Sequence, residues 1–347
     1  MKMLQAAGAE HAFARQAQNC RSAGSTFVAS VLEAVDRQLP HAPLSHEFVR
    51  AWKGDPAAGA IALRVNGALH ALARRGKPKY LADLYSGAHE DFDGAVADAL
   101  SQEDQFIAEW IRHPTQTNEV ARGAAIMAAL LSVAAQRRMP FEILELGSSC
   151  GLNLNLDRYA YELGTMSVGD ASSSVHIAPK WTGPNPPDAF VSIVAARGVD
   201  LSPLNARNPA HRERLLSFTW ADQPDRSRRL EAALRQAVTQ PPRVDQGDAG
   251  QWLAERLAEA QPKGVCRAVV HSMFLQYLSE DARRSVAATL AGAGAEASLD
   301  RPLIEIGLEW TTDRREVQLR LTTWPTGQTS VLARTDPYGE WVEWLAD

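Results

Sequence analysis

The sequence predicts an α/β protein: an all-helical N-terminal region, then a mostly parallel sheet of about seven strands with an antiparallel hairpin at its edge. Three observations lead to this prediction. The first third of the chain has apolar residues at helical spacing and no strand-like alternation. From Met139 onward, short apolar runs alternate with helical stretches, as in parallel sheets covered by helices. After Trp310, apolar residues alternate with period two on both sides of a turn.

The helical region is predicted to contain helices at Phe27–Val35, Ala57–Arg75 and Phe92–Arg112, each with apolar residues three and four positions apart. The sequence pattern changes at Pro114, so we predict two domains, residues 1–113 and residues 114–347. A very apolar helix follows and runs to Arg137. Its polar start contains more hydrogen-bonding groups than helix capping needs, which makes these residues candidates for binding a substrate: Gln116, Asn118, Glu119 and Arg122.

The α/β region is assigned from its short apolar runs. The predicted parallel strands are Phe141–Leu146, Phe190–Val194, Pro242–Asp245, Ala268–His271 and Leu303–Leu308. The predicted helices are Leu152–Leu163, Arg212–Val238, Gln251–Glu259 and Glu280–Ala291. The hairpin pairs Val317–Leu321 with Val331–Ala333 around a turn at Pro325–Gly327. The segment 164–187 is rich in Ser, Gly and Pro, and we expect an inserted loop or small flap there.

Composition narrows the classes of partner. The 36 Lys and Arg against 41 Asp and Glu give a net charge of -5, which disfavours duplex nucleic acid and anionic membranes as partners and favours a small molecule. The three cysteines are far apart, and no histidine pair has metal-ligand spacing, so we expect no disulfide framework and no metal. The oligomeric state stays open.

The sequence also predicts a cytoplasmic location. Met1–Arg15 lacks the unbroken apolar stretch of a secretory signal. The longest nearly apolar run, Gly123–Ala135, is shorter than the roughly 20 residues that cross a bilayer.

The segment Phe141–Asn153 concentrates the chemical signals: an apolar strand, Glu145, a turn of small residues and a predicted helix start. Exposed N–H groups at such a helix start favour electron-rich ligand groups. Read as E-x-G-x-x-x-G, it resembles the first motif of class I S-adenosylmethionine-dependent methyltransferases. Read as G-x-S-x-G, it matches the nucleophile elbow of α/β-hydrolases, with Ser149 as nucleophile. A tight turn that merely allows close packing is the third interpretation.

Later strand ends favour the methyltransferase interpretation. Gly198–Pro203 resembles the second motif of that superfamily, in which a carboxylate, here Asp200, binds the ribose hydroxyls. Gln246–Ala249 resembles the third motif, in which an Asp side chain and the next N–H read the adenine edge. Ala268–Leu278 resembles the fourth strand and its exit loop, which faces the methyl group and the acceptor. The hydrolase would combine Ser149 with Asp248 and His271, but its histidine normally follows the last major strand.

The chain also resembles a narrower group. The segments that carry this resemblance are Gln116–Glu119, Glu145–Asn153, Asp157–Tyr159, Trp220–Pro224, Gly247–Ala249, His271–Ser272 and Asp336–Gly339. They are similar to those of a bacterial family known only as a domain of unknown function. Membership implies a Rossmann-like, methyltransferase-type fold and no established substrate.

The resemblance implies S-adenosylmethionine as cofactor and methyl transfer to a small-molecule acceptor. The implied cofactor-binding residues are Glu145, Gly147, Ser149, Gly151, Asp200, Asp248 and Ala249. The candidate acceptor-binding residues are Gln116, Asn118, Arg122, Asn153, Trp220 and Tyr277. His271 or Glu119 would remove a proton from the acceptor. A non-catalytic protein that binds the cofactor or a nucleotide, and the serine hydrolase using Ser149, are the alternatives.

Overall fold

The computed structural model describes residues 12–57 and 59–346. The chain divides into two compact units, one of Met1–Thr117 with Asn208–Glu231 and one of Asn118–Arg207 with Ala232–Asp347. The segment Asn208–Glu231, which the sequence assigned to the α/β domain, therefore groups with the helical residues. The prediction that Met1–Arg15 is not a secretory signal concerns residues that are mostly outside the described part of the chain. In the part of the chain that the structure describes, no helix is both long and apolar enough to cross a membrane.

The first unit is helical, as predicted. The helices described up to residue 117 are α1 (Ala12–Ser22), α2 (Thr26–Gln38), α3 (Pro43–Arg50), α4 (Ile61–Arg74), α5 (Lys79–Tyr85), α6 (Phe92–Gln102) and α7 (Asp104–Trp110). Helix α9 (Pro209–Ser217) packs on α4 in the same unit. His70 of α4 joins them: burial lowers its pKa to about 4, so its neutral imidazole Nδ1 donates to the Ser217 carbonyl at 3.1 Å.

The predicted helix Phe92–Arg112 is two helices, α6 and α7. The break falls where the Asp104 carboxylate accepts hydrogen bonds from the N–H groups of Leu44 and Ser45, at 2.7 and 2.9 Å. These amides begin helix α3 and have no partners within that helix, so Asp104 stabilises the start of α3. The sequence pattern shows the apolar faces but not this contact between residues 60 positions apart.

The second unit contains the sheet and the remaining helices. The helices are α8 (Gly123–Arg137), α11 (Ala249–Ala258) and α12 (Glu280–Ala295), and α10 (Pro224–Thr239) crosses the boundary in the sequence between the two units. Helix α8 begins at Gly123, later than predicted, after a 3₁₀ turn at Val120–Arg122. Every residue of α8 from Gly123 to Ala134 is buried, as expected of a helix that is apolar on all sides.

Among the described residues the main sheet has nine strands and is mostly parallel. They are β1 (Phe141–Leu146), β5 (Lys180–Thr182), β6 (Ile193–Asp200), β7 (Val244–Gln246), β8 (Cys266–Ser272), β9 (Leu303–Trp310), β10 (Val317–Trp324), β11 (Gln328–Thr335) and β12 (Trp341–Trp344). Their order is β5-β12-β11-β10-β9-β8-β1-β6-β7. The antiparallel hairpin β10–β11 is confirmed, with β12 and β5 lying beyond it.

The segment after the glycine turn differs from the prediction. Instead of a helix over Leu152–Leu163, the chain forms a 3₁₀ segment, Leu152–Arg158, and then strand β2 (Ala160–Leu163). The hydroxyls of two buried tyrosines, Tyr159 and Tyr161, donate to carbonyl oxygens of the 3₁₀ segment. Strand β2 pairs with β3 (Met166–Gly169) and β4 (His176–Ile177), so the predicted flap contains a small second sheet.

The order of the parallel strands positions the candidate site. The parallel strands are adjacent in the order β7, β6, β1, β8, β9. Along the chain, β6 and β7 are added on one side of β1, and then β8 and β9 are added on the other side. Leu146, the last residue of β1, pairs with Val199 of β6 and His271 of β8. The segments that leave these three strands therefore begin side by side. In open α/β sheets, ligands bind at the carboxyl ends of the strands where the order reverses.

Candidate functional site at the carboxyl end of strand β1

The glycine loop, Gly147–Gly151, leaves β1 through three left-handed residues: Gly147 (φ 69°), Ser149 (φ 55°) and Gly151 (φ 73°). A side chain at Gly147 would meet the ring of Phe274, since an added Cβ would lie 2.5 Å from it. At Gly151 an added Cβ would lie 2.6 Å from Val244. Glycine is therefore required at both positions, because a side chain would clash with a neighbouring residue and because the backbone is left-handed.

The backbone N–H groups of the glycine loop and of Leu152, the next residue, are bound by the protein itself. Ser149 N donates to Asp200 at 2.8 Å. Cys150 N and Leu152 N both donate to the side-chain oxygen of Asn118, each at 3.1 Å. These N–H groups therefore have protein acceptors, and a direct contact between them and a ligand stays a prediction. Because the loop continues as a 3₁₀ segment, no α-helix begins there, and the loop amides are satisfied internally instead.

Asn118 supports the loop and is itself buried, with a left-handed φ of 34°. The sequence assigned it to acceptor binding, but its side-chain oxygen holds the two loop amides. The neighbouring Glu119 is also buried and accepts a hydrogen bond from Ala121 N, so it caps the 3₁₀ turn before α8. A carboxylate that caps a turn is poorly placed as the general base that the sequence predicted.

Asp200 is the last residue of β6, and both of its carboxylate oxygens contact backbone amides. Oδ2 accepts from Ser149 N and Oδ1 from Ser202 N, both at 2.8 Å. This carboxylate thus fixes the glycine loop to the end of β6. A carboxylate has about four lone-pair directions, so about two remain for other donors.

Glu145 is a buried acid with incomplete hydrogen bonding. Its residue is only 3% exposed, and its Oε2 atom has no hydrogen-bond partner among the described residues. Burial raises the pKa of Glu145 to about 8; hydrogen bonds from Ser148 and Asn153 and the charge of Arg122 lower this pKa, whereas the nearby Asp200 charge raises it. At neutral pH the carboxyl is mostly protonated in this structure, because no cation close by is strong enough to hold it ionised.

Asn153 lies beside Glu145 and is equally buried. Its side-chain oxygen also lacks a hydrogen-bond partner within the described part of the chain. Two neighbouring buried side chains thus each have an unsatisfied oxygen, which is unusual in a folded protein. Arg122 contributes positive charge nearby while its Nε donates to the Pro337 carbonyl at 2.8 Å.

Asp248 and Ala249 follow β7 at the same edge of the sheet. Asp248 is exposed and accepts a hydrogen bond from Gln251 N at 3.0 Å, so it is the N-cap of helix α11. Gly247 N donates to the Asp200 carbonyl at 3.1 Å, which joins the two segments that leave β6 and β7. The adenine-binding role of Asp248 and Ala249 stays a prediction.

His271, the predicted base, is bound on both sides by carboxylates. Its Nδ1 lies 2.8 Å from Glu309 and its Nε2 lies 3.2 Å from Glu305. Burial acts to lower the pKa of His271, but the hydrogen bonds and charges of the two glutamates outweigh burial and raise this pKa to about 9. Both ring nitrogens are engaged by carboxylates, which argues against proton abstraction by this imidazole, and the role of His271 as general base stays a prediction.

The same contacts argue against the serine hydrolase. Both nitrogens of His271 bind glutamates rather than Ser149, and the Asp248 carboxylate caps α11. A nucleophilic serine needs a base within hydrogen-bond reach.

The remaining predicted residues are divided between the two units. Tyr277 lies in the 3₁₀ turn after β8 and is 67% exposed, with Arg122 and Glu309 as charged neighbours. Gln116 and Trp220 belong to the helical unit, where Trp220 is buried. No group of three or more His, Cys, Asp or Glu side chains arranged to hold a metal ion is found in residues 12–57 and 59–346.

Sequence reasoning missed Glu305, Glu309 and Phe274. A signal for the glutamates was present: β9 reads Leu-Ile-Glu-Ile-Gly-Leu-Glu-Trp, which places Glu305, Gly307 and Glu309 on one face of an otherwise apolar strand. Two acids on one face of a mostly buried strand require a partner.

These features define a mixed α/β protein whose nine-stranded sheet has a buried, incompletely bonded acid at the carboxyl end of its first strand. The chain belongs to a family described as uncharacterized protein conserved in bacteria (DUF2332), whose model matches residues 10–344. No curated protein and no solved structure matches the chain.

Proposed function

We propose that the protein binds S-adenosylmethionine at the carboxyl end of β1 and transfers its methyl group to a small-molecule acceptor. The order of the parallel strands supports this proposal. Counted along the chain, it is third, second, first, fourth, fifth, the order of doubly wound sheets that bind nucleotide cofactors at the reversal point. The four segments that resemble methyltransferase motifs follow β1, β6, β7 and β8, which are adjacent in the sheet.

The observation that carries the proposal is a pair of buried oxygens without protein donors, Glu145 Oε2 and Asn153 Oδ1; without a ligand, Glu145 holds a proton in place of a cation. A ligand ammonium group would supply N–H donors to both oxygens and a positive charge to the carboxylate. The α-amino group of the methionine part of the cofactor has this chemistry. The residues present therefore fit one end of the cofactor.

Asp200 fits the ribose less directly. Its carboxylate positions the glycine loop and has about two acceptor directions left for hydroxyl groups. The glycine loop would contribute its shape, because the left-handed Gly147 and Gly151 have no side chains and let the backbone approach the cofactor. Its amides already donate to protein acceptors.

The chemistry proposed for this chain is alignment rather than acid–base catalysis. Bound S-adenosylmethionine would supply a methyl group already activated by the sulfonium. Since His271 and Glu119 are engaged elsewhere, the protein holds the reactants in line, and acceptors that need no strong base are favoured.

Calorimetry with S-adenosylmethionine and S-adenosylhomocysteine tests the proposal. We expect both to bind the wild-type protein, and Glu145→Gln to weaken binding at least about tenfold by removing the charge that pairs with the ammonium group. The matched control is Glu255→Gln, which changes an exposed glutamate on α11 and should leave binding unchanged. Absence of heat with either ligand would refute the proposal. Binding without turnover of any acceptor would instead support a non-catalytic protein that binds the cofactor.

A further inference from the structure

A buried charge cluster occupies the end of β8 next to the glycine loop. We call it the 271 cluster; it consists of His271, Glu305 and Glu309. The imidazole is 2% exposed. Gly307 lies between the two glutamates on β9 and leaves room for the ring, since a Cβ at this position would lie 2.8 Å from it. Strand β9 thus provides a slot with a carboxylate on each side.

Glu309 connects the cluster to the segment that follows β8. The oxygen that binds His271, Glu309 Oε1, also accepts hydrogen bonds from Phe274 N at 2.9 Å and Leu275 N at 3.2 Å. The Phe274 ring lies directly against Gly147. One carboxylate therefore connects the buried imidazole to the side chain that covers the first glycine of the loop.

We propose that the 271 cluster is a latch that holds Phe274 against Gly147 and so controls access to the glycine loop. The existence of the latch is independent of the ligand, whereas the identity of the molecule that it admits rests on the proposed function. His271 is a positioning residue in this scheme, because it contacts Glu309 and not the reacting atoms.

The charges explain how the latch would open. One imidazolium separates two carboxylates, so loss of its proton leaves Glu305 and Glu309 facing each other without a cation between them. The other groups nearby do not replace that charge: Thr322 hydrogen-bonds Glu305, and Tyr277 is close to Glu309. Arg122 is the cation that influences Tyr277, and it also influences Glu145.

The latch is therefore closed at neutral pH and opens in alkali. The glutamates outweigh burial and raise the pKa of His271 to about 9, so the imidazole is protonated under neutral conditions. Above that pH Glu309 loses the cation that holds it in place, and we expect the Phe274–Leu275 segment that it anchors to open more often.

Amide hydrogen exchange of the full-length, ligand-free protein tests the latch. Glu309→Ala should speed the exchange of the Phe274 and Leu275 amides about tenfold or more, because they lose their acceptor. Glu305→Ala is the matched control: it removes the other carboxylate from the same ring but no acceptor from the segment. Equal exchange rates in the two variants would overturn the proposal.

A second measurement needs no variant that could misfold. In the wild-type protein, exchange corrected for its intrinsic pH dependence should accelerate above pH 9 in residues 273–278 and not in the neighbouring strand β8. Uniform acceleration would overturn the latch. Association rates of S-adenosylmethionine with the two variants then test whether the latch affects ligand access to the glycine loop. Faster exchange without any ligand binding would refute the proposed function and leave the latch standing.

Discussion

Replacing Glu145 by Gln should stabilise the protein at alkaline pH in the absence of ligand. The carboxyl has an ordinary pKa of 4.5 in the unfolded chain and a pKa of about 8 when folded. A carboxyl whose pKa is raised on folding gives its full contribution to stability below pH 4.5, and this contribution is lost as pH rises to about 8. At 1.36 kcal/mol per pKa unit, the loss is about 5 kcal/mol.

Glutamine has the same shape as the protonated carboxyl, and its N–H₂ group can donate to the unsatisfied Asn153 oxygen. The free energy of unfolding, measured with urea at pH 5 and pH 8.5, should differ little between the two proteins at the lower pH. At pH 8.5 the Glu145→Gln variant should be more stable by up to about 5 kcal/mol. A stability difference that does not change with pH would refute the reasoning about Glu145.

Three further predictions concern the loop and the alternative chemistry. Asn118→Ala should lower the free energy of unfolding by about 2–4 kcal/mol, measured with urea, because two buried loop amides lose their acceptor. Asp200→Asn should lower the thermal midpoint without ligand, since the new NH₂ group would face one of the two N–H donors, Ser149 N or Ser202 N, that now bind separate carboxylate oxygens; an unchanged midpoint would contradict its positioning role. A fluorophosphonate should not label Ser149, and labelling that Ser149→Ala abolishes would show that His271 is available as a base after all.

The strands that are apolar along their length could be predicted closely from sequence. Strand β1 was predicted with the bounds that the structure has, and β8 and β9 to within two residues. Two predictions failed: the strand predicted at Phe190–Val194 instead spans Ile193–Asp200, and the segment after the glycine loop is not a helix. Its leucines have helical spacing, but the hydroxyls of Tyr159 and Tyr161 bind its carbonyl oxygens and its second half pairs as a strand. Such contacts depend on tertiary structure, which overrides local pattern.

The buried acid at the end of β1 could be located from sequence, but the contacts of the candidate residues could not be predicted. Glu145 was identified because an acid ends an apolar strand, and the structure shows it buried. The partners of His271 could not be predicted, because Glu305 and Glu309 lie 34 and 38 residues away in the chain. Only the register that pairs β8 with β9 brings them to the imidazole.

Charge matching explains why Glu145, rather than His271, is the residue to test for ligand binding. The two lie on neighbouring strands, since Leu146 pairs with His271. His271 has two carboxylates and Glu309 has two backbone donors, so that cluster is satisfied by the protein. Glu145 has no matching cation strong enough to keep it ionised, and one of its oxygens has no donor among the described residues. A cationic ligand would therefore displace a proton from Glu145, and its affinity should rise from pH 6 to about pH 8 and level off above.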